Sequence, residues 1–216
     1  MAENIFEAQY DLTKKSRIKK FYESNKIFIF SLILILIILF GSLSFYLENQ
    51  ERKKILLSEN YIQAKIYLEN ENKDEALNKL KKVIFAGDPT YSTLSFFMIL
   101  DQNLIKDYDE VTSLFDHLLA NNKFDREIRN LLVYKKALLS SNYVNESELL
   151  AELKPLLNKE TLWRPHALLL LGDYFVSKEE YVKAKEFYIE ILSINNLQRD
   201  LYDQAKSQLA FFGNDY

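Results

Sequence analysis

The chain contains no cysteine. That excludes disulfides, thiolate metal sites, cysteine nucleophiles and every lipid anchor attached through sulfur. Histidine is nearly absent too: His117 and His166 stand alone on different segments, and without cysteine they make no zinc constellation. With four glycines there is no Gly-rich phosphate loop and no P-loop spacing. Three prolines complete a chain poor in turn formers, which points to a mostly helical fold with short connections. Positive charge is not in excess. Twenty-eight Lys and Arg face 31 Asp and Glu, a net charge of -3, which argues against nucleic-acid binding, since that needs a basic footprint on phosphate. No nucleophile and base stand paired, so neither an enzyme nor a cofactor is expected. The carboxylate-rich runs at 69–75 and 178–180 alternate with Lys as solvated turns do.

What the chain does have is a run of 21 uncharged residues, Ile27 to Leu47, "IFIFSLILILIILFGSLSFYL". As a helix rising about 1.5 Å per residue it covers roughly 31 Å, close to the bilayer hydrocarbon at about 30 Å. Sixteen of these residues are Ile, Leu or Phe. At about -0.3 to -0.6 kcal/mol each near the bilayer centre, insertion outweighs the cost of one Gly and three Ser by several kcal/mol. A soluble core helix would normally keep a polar stripe, and this one has none. A cleaved signal peptide is the other alternative, but a 26-residue leader holding Glu3, Glu7, Asp11 and Glu23 is long and acidic for one. The expectation is a single transmembrane helix at 27–47, in contact with membrane lipid.

Flanking charge sets the orientation. Six Lys/Arg fall in the 15 residues before the span and three in the 15 after it, which predicts residues 1–26 as a basic cytoplasmic tail and the rest across the membrane. Within the tail, Phe6, Tyr10, Ile18, Phe21 and Tyr22 alternate with Lys and Arg, as in a short helix on the inner leaflet; a disordered tail is the alternative. No Gly or Pro falls between Leu43 and Asp74, so the membrane helix is expected to run on into the first soluble one.

Beyond the span one pattern returns. "DEALNKLKKVI" (74–84) is echoed by "DEVTSLFDHLL" (109–119), "SELLAELKPLL" (147–157) and "VKAKEFYIEIL" (182–192). Ala76, Val111, Leu149 and Ala184 align; Leu80, Phe115, Leu153 and Tyr188 follow four residues on, then Val83, Leu118, Leu156 and Ile191. This i, i+4, i+7 spacing is one helical face. Steps of 35, 38 and 35 residues lie near the tetratricopeptide period of about 34. Twelve residues upstream stand Ala64, Ile99, Ala137 and Gly172, three of them small enough to let a first helix approach its second closely. "LGDYFVSKEEYVKAKEFYIEILSINN" (171–196) and "AKIYLENENKDEALNKLKKVIFAGDP" (64–89) resemble the repeat consensus best, while Gln102 and Ser140 replace its first-helix aromatic in the middle units. Gly87-Asp88-Pro89 reads as stop, N-cap and first-turn proline, and Pro155 is expected to kink the third second-helix.

The predicted fold is therefore all-α: an N-terminal transmembrane helix, an α-solenoid of degenerate tetratricopeptide-like helix pairs over 48–198, and a capping helix at 199–216 over the last apolar edge. A non-repeating helical bundle is the alternative. The 14 Tyr and 15 Phe fall mostly at core-facing positions. Partners of such arrays dock on the inner wall formed by first helices. By register, Tyr61, Lys65, Tyr134, Leu138, His166 and Asp173 are the candidate partner-binding residues.

A tail of the type "IFEAQYDLTKKSRIKKFYESNK", one span, and degenerate repeats with "GDPTYSTL" after the first pair resemble the YfgM-like family, ancillary subunits of the bacterial Sec translocon. The resemblance implies a single-pass inner-membrane protein with its repeats in the periplasm. It also implies the SecYEG channel and a membrane-anchored periplasmic chaperone as partners in protein export, and no catalytic residues. A scaffold for cell-envelope growth or division uses the same architecture and stays open as an alternative, as does pairing with a second copy of the chain.

Overall fold

A computed structural model describes residues 17–158 and 161–212. The described residues form nine helices: α1 (Arg17–Glu69), α2 (Lys73–Phe85), α3 (Pro89–Asp101), α4 (Tyr108–Asn121), α5 (Arg126–Ser140), α6 (Glu146–Leu153), α7 (Arg164–Ser177), α8 (Tyr181–Leu192) and α9 (Arg199–Phe211). They fall into two compact units, one reaching to Leu56 and one starting at Leu57. The all-helical expectation holds. Phe6 and Tyr10 of the tail, and residues 213–216 of the predicted cap, lie outside the described residues.

In the first unit the helix is interrupted once. Asn25 leaves helical geometry (φ -121, ψ 17) while its Nδ2 donates to the Phe21 carbonyl at 3.0 Å. That carbonyl is the one its own backbone N–H would otherwise use, so side chain and backbone compete for one acceptor. From Ile27 onward the helix is long and apolar enough to cross a membrane, and none of its most apolar stretch is buried. Phe28, Ile37, Phe40 and Phe45 are each at least 60% exposed, a surface that water disfavours and hydrocarbon accepts. This is consistent with a single membrane anchor.

In the second unit the repeats place the end of α1 before α2, α3 before α4, α5 before α6, and α7 before α8, with α7 and α8, and α2 and α3, in the closest contact. The twelve aligned second-helix positions are all buried, and so are Ala64, Ile99, Ala137 and Gly172 on the first helices. Their chemistry sets the spacing. α7 and α8 lie especially close, because a Cβ on Gly172 would stand 2.5 Å from Cε1 of the Tyr188 ring. α2 and α3 also approach closely at buried Ser92 and Ser95, where the Ser92 hydroxyl donates to the carbonyls of Val83 and Ile84 at 3.1 and 3.0 Å. This packing is consistent with a tetratricopeptide-like solenoid.

Local signals place the helix starts. Asn72, Asp107 and Asn145 cap α2, α4 and α6 by accepting from Glu75, Glu110 and Glu148 N–H, and at α6 Glu148 returns the bond to complete a capping box. Gly87 turns with φ 75, Asp88 accepts from the N–H of Thr90 and Tyr91, and Pro89 opens α3. Glu71 (φ 60) and Glu179 (φ 62) make left-handed turns at the same place in the first and last repeats. Pro155 acts differently from expectation. α6 stops at Leu153 and Pro155 lies in the following turn, because a proline has no N–H to bond the carbonyl four residues back and its ring clashes with that carbonyl. Leu156 still reaches its buried repeat position from that turn. α9 packs on α8 and α7, burying Leu201 and Ala205, with Phe212 stacked on Tyr188 at 6.3 Å between centroids.

Candidate interaction surface

The first helices bury one face and leave another open. On α1, Leu57 and Ala64 turn into the core, which leaves Tyr61, Lys65 and Leu68 beside them. On α3, Ser92, Ser95, Phe96 and Ile99 are buried, Leu94 and Asp101 are exposed, and Phe97 and Met98, partly buried against the core, line the surface between them. Between these two sets lies a groove of about 610 Å³. Leu94 also lines a second cleft of about 310 Å³, with Pro89, Thr93, Phe124 and Ile128 at the starts of α3 and α5. The two hollows thus share a wall residue, and α3 and α5 join into one surface.

Beyond Ile128 the surface becomes aromatic. Trp163, just before α7, sits 5.5 Å from Tyr134 and 5.2 Å from His166 between ring centroids, and Tyr134 meets His166 edge-on at 5.9 Å. All three rings are half-buried, with Tyr134 and Trp163 resting on the core. Trp163 is held by its Nε1, which donates to Glu127 Oε2 at 3.1 Å. The Tyr188 hydroxyl donates to Asp173 Oδ1 at 2.6 Å, reaching from the second helix to the first. A further cleft of about 270 Å³ lies between His166, Pro165 and the turn after α8 at Ile194 and Leu197.

Electrostatics follow from this crowding. Burial pushes the Tyr134 hydroxyl up, and the Asp173 charge adds to it. Burial holds His166 below its ordinary 6.5, against the Leu162 carbonyl, which favours the charged ring; His166 is therefore uncharged at neutral pH. Asp173 is exposed as a residue, yet the atoms packed about its carboxyl raise it above the ordinary 3.8, with the Tyr188 hydrogen bond pulling the other way. Tyr188 is raised by burial first, then by its bond to Asp173.

The six sequence-predicted residues separate into two groups. Tyr61 and Lys65 line the α1–α3 groove. Tyr134 and His166 meet at the α5–α7 corner, and Asp173 acts on Tyr134 through its charge. Leu138 stands one turn beyond Tyr134 and is 41% exposed. Sequence reasoning missed Leu94, Phe97, Met98 and Trp163. The first three carry a signal, an apolar i, i+3, i+4 set on α3, but repeat register assigns that helix a different rotation. Trp163 precedes its helix, where register says nothing. Among the described residues no three histidine or acidic side chains converge as metal ligands. Comparison with protein-family models, with curated proteins and with solved structures finds no match to the chain.

Proposed function

We propose that the chain is a non-catalytic scaffold, anchored in the bacterial inner membrane by Ile27–Leu47, whose helix pairs dock protein partners on the wall of first helices. The observation that supports this most is the open, largely apolar surface shared through Leu94, where grooves of about 610 and 310 Å³ adjoin. Ligand sites of this breadth suit peptide or protein surfaces better than a small metabolite, which is usually enclosed. The finer reading is an ancillary subunit of the Sec translocon, with the tail cytoplasmic and the repeats periplasmic, linking SecYEG to a membrane-anchored chaperone. It rests on the tail, the single span and the "GDPTYSTL" turn. Purification of the full chain from detergent-solubilised membranes tests it: channel subunits should be recovered, and their absence while other complexes appear rejects the translocon reading.

A further inference from the structure

Basic side chains tie neighbouring helices together over much of the second unit. Lys81 pairs with Glu110, Lys136 with Asp116 at 2.6 Å, Arg164 with Glu190, and Lys183 with Glu146 at 2.9 Å. The corner formed by Tyr134, Trp163 and His166 is different. Its two carboxylates, Glu127 and Asp173, each take a neutral hydrogen bond, from the Trp163 indole and the Tyr188 hydroxyl, and neither has a cationic partner among the described residues. Three rings stand within 6 Å of one another beside them, half-buried, with one side on the core and the other toward solvent. Aromatic faces carry negative quadrupole potential, and carboxylates beside them add to it, so the corner attracts a cation and repels an anion. His166 is neutral at neutral pH and does not offset that field.

We infer that the α5–α7 corner is the specificity site of the docking wall and takes an arginine or lysine side chain from a partner's peptide segment. The inference rests on the scaffold reading above and adds the chemistry of the occupant. Charge complementarity selects a basic segment over an acidic one. The apolar hollow lined by Leu94 and Ile128, next to Glu127 in sequence, selects a segment that also carries aliphatic side chains. An arginine fits best, since its planar group can stack on Trp163 while its fork reaches a carboxylate.

Trp163 is the single tryptophan of the chain, so its emission reports directly on the corner. The full chain in non-ionic detergent micelles is titrated with the blocked peptide Ser-Arg-Leu-Ser-Arg-Leu-Ser, and with the same peptide carrying Gln or Glu for Arg. The arginine peptide should shift Trp163 emission and bind about tenfold tighter than the glutamine peptide, with the glutamate peptide weaker still. In the double variant Glu127→Gln with Asp173→Asn the preference should shrink to about twofold or less, because both amides can still accept the indole and hydroxyl bonds while the charge is gone. Unchanged circular dichroism shows that the variant stays folded. Equal binding of arginine and glutamine peptides overturns the inference and leaves the docking wall standing. Silence of Trp163 toward every peptide also overturns it, as does self-association of the full chain that the double variant abolishes, which would make a second copy the occupant.

Discussion

Gly172→Ala is the sharpest test of how the repeats are held together. In an ordinary helix interior this change stabilises by about 0.5–1 kcal/mol, because alanine loses less backbone entropy. Here the added Cβ would stand 2.5, 2.8 and 3.0 Å from three atoms of the Tyr188 ring. The ring has no easy retreat: Tyr188 is fully buried, stacked on Phe212 at 6.3 Å and tied by its hydroxyl to Asp173 at 2.6 Å. Overpacking of this kind costs about 1–3 kcal/mol, and displacing the hydroxyl adds about 1 kcal/mol. After the propensity gain the net loss is about 1–3 kcal/mol. Urea titration of the full chain in micelles, followed by circular dichroism and Trp163 emission, should show the midpoint falling by about 1 M. Gly41→Ala is the control, since nothing lies within 4 Å of its added Cβ, and it should not lower the midpoint. Combining Gly172→Ala with Tyr188→Leu should cost less than the sum of the two changes. A midpoint for Gly172→Ala equal to or above that of the parent refutes the close α7–α8 approach.

Other outcomes are expected from separate parts of the chain. Asp88→Ala removes the acceptor for the Thr90 and Tyr91 N–H groups and should cost about 1 kcal/mol in the same titration. Because His166 is held below 6.5 in the fold, its protonation favours the unfolded chain, so stability should begin to fall as pH drops through 6.5; His166→Gln should flatten that limb. Asp173 has the opposite sign. Its raised carboxyl disfavours the ionised folded state, a penalty relieved as pH falls through its folded value, so Asp173→Asn should leave the limb near pH 6.5 intact. Leu36→Arg with Ile37→Arg should release the protein from membranes at alkaline pH, since each arginine at mid-bilayer costs about 2.5–3.5 kcal/mol against an insertion gain of several kcal/mol.

The repeat core was legible because burial imposes a period. Ala64, Ala76, Leu80 and Val83 sit where helix geometry and a repeat near 35 residues require apolar or small groups, and the last repeat follows the same rule with Gly172, Ala184, Tyr188 and Ile191. The Gly87-Asp88-Pro89 punctuation was legible for a local reason, since each residue serves one backbone need. The rest depends on contacts between helices. Rotation of α3 follows from Ser92, whose hydroxyl donates to α2 carbonyls, and a serine in a sequence does not announce its acceptor. Pro155 marks a disturbance in sequence, but whether the helix bends or stops depends on whether Leu156 can reach the core from a turn, which it does. Trp163 joins the wall through Glu127, 36 residues away, a pairing that no repeat period encodes.

The central claim is that partners meet the wall of first helices and not the outer face of the second ones. A photoreactive amino acid placed at Phe97 in the α1–α3 groove, and separately at Val182, which is 74% exposed on α8, reads this in living cells. Position 97 should yield discrete adducts and position 182 none. Adducts from position 182 with position 97 silent would contradict the account.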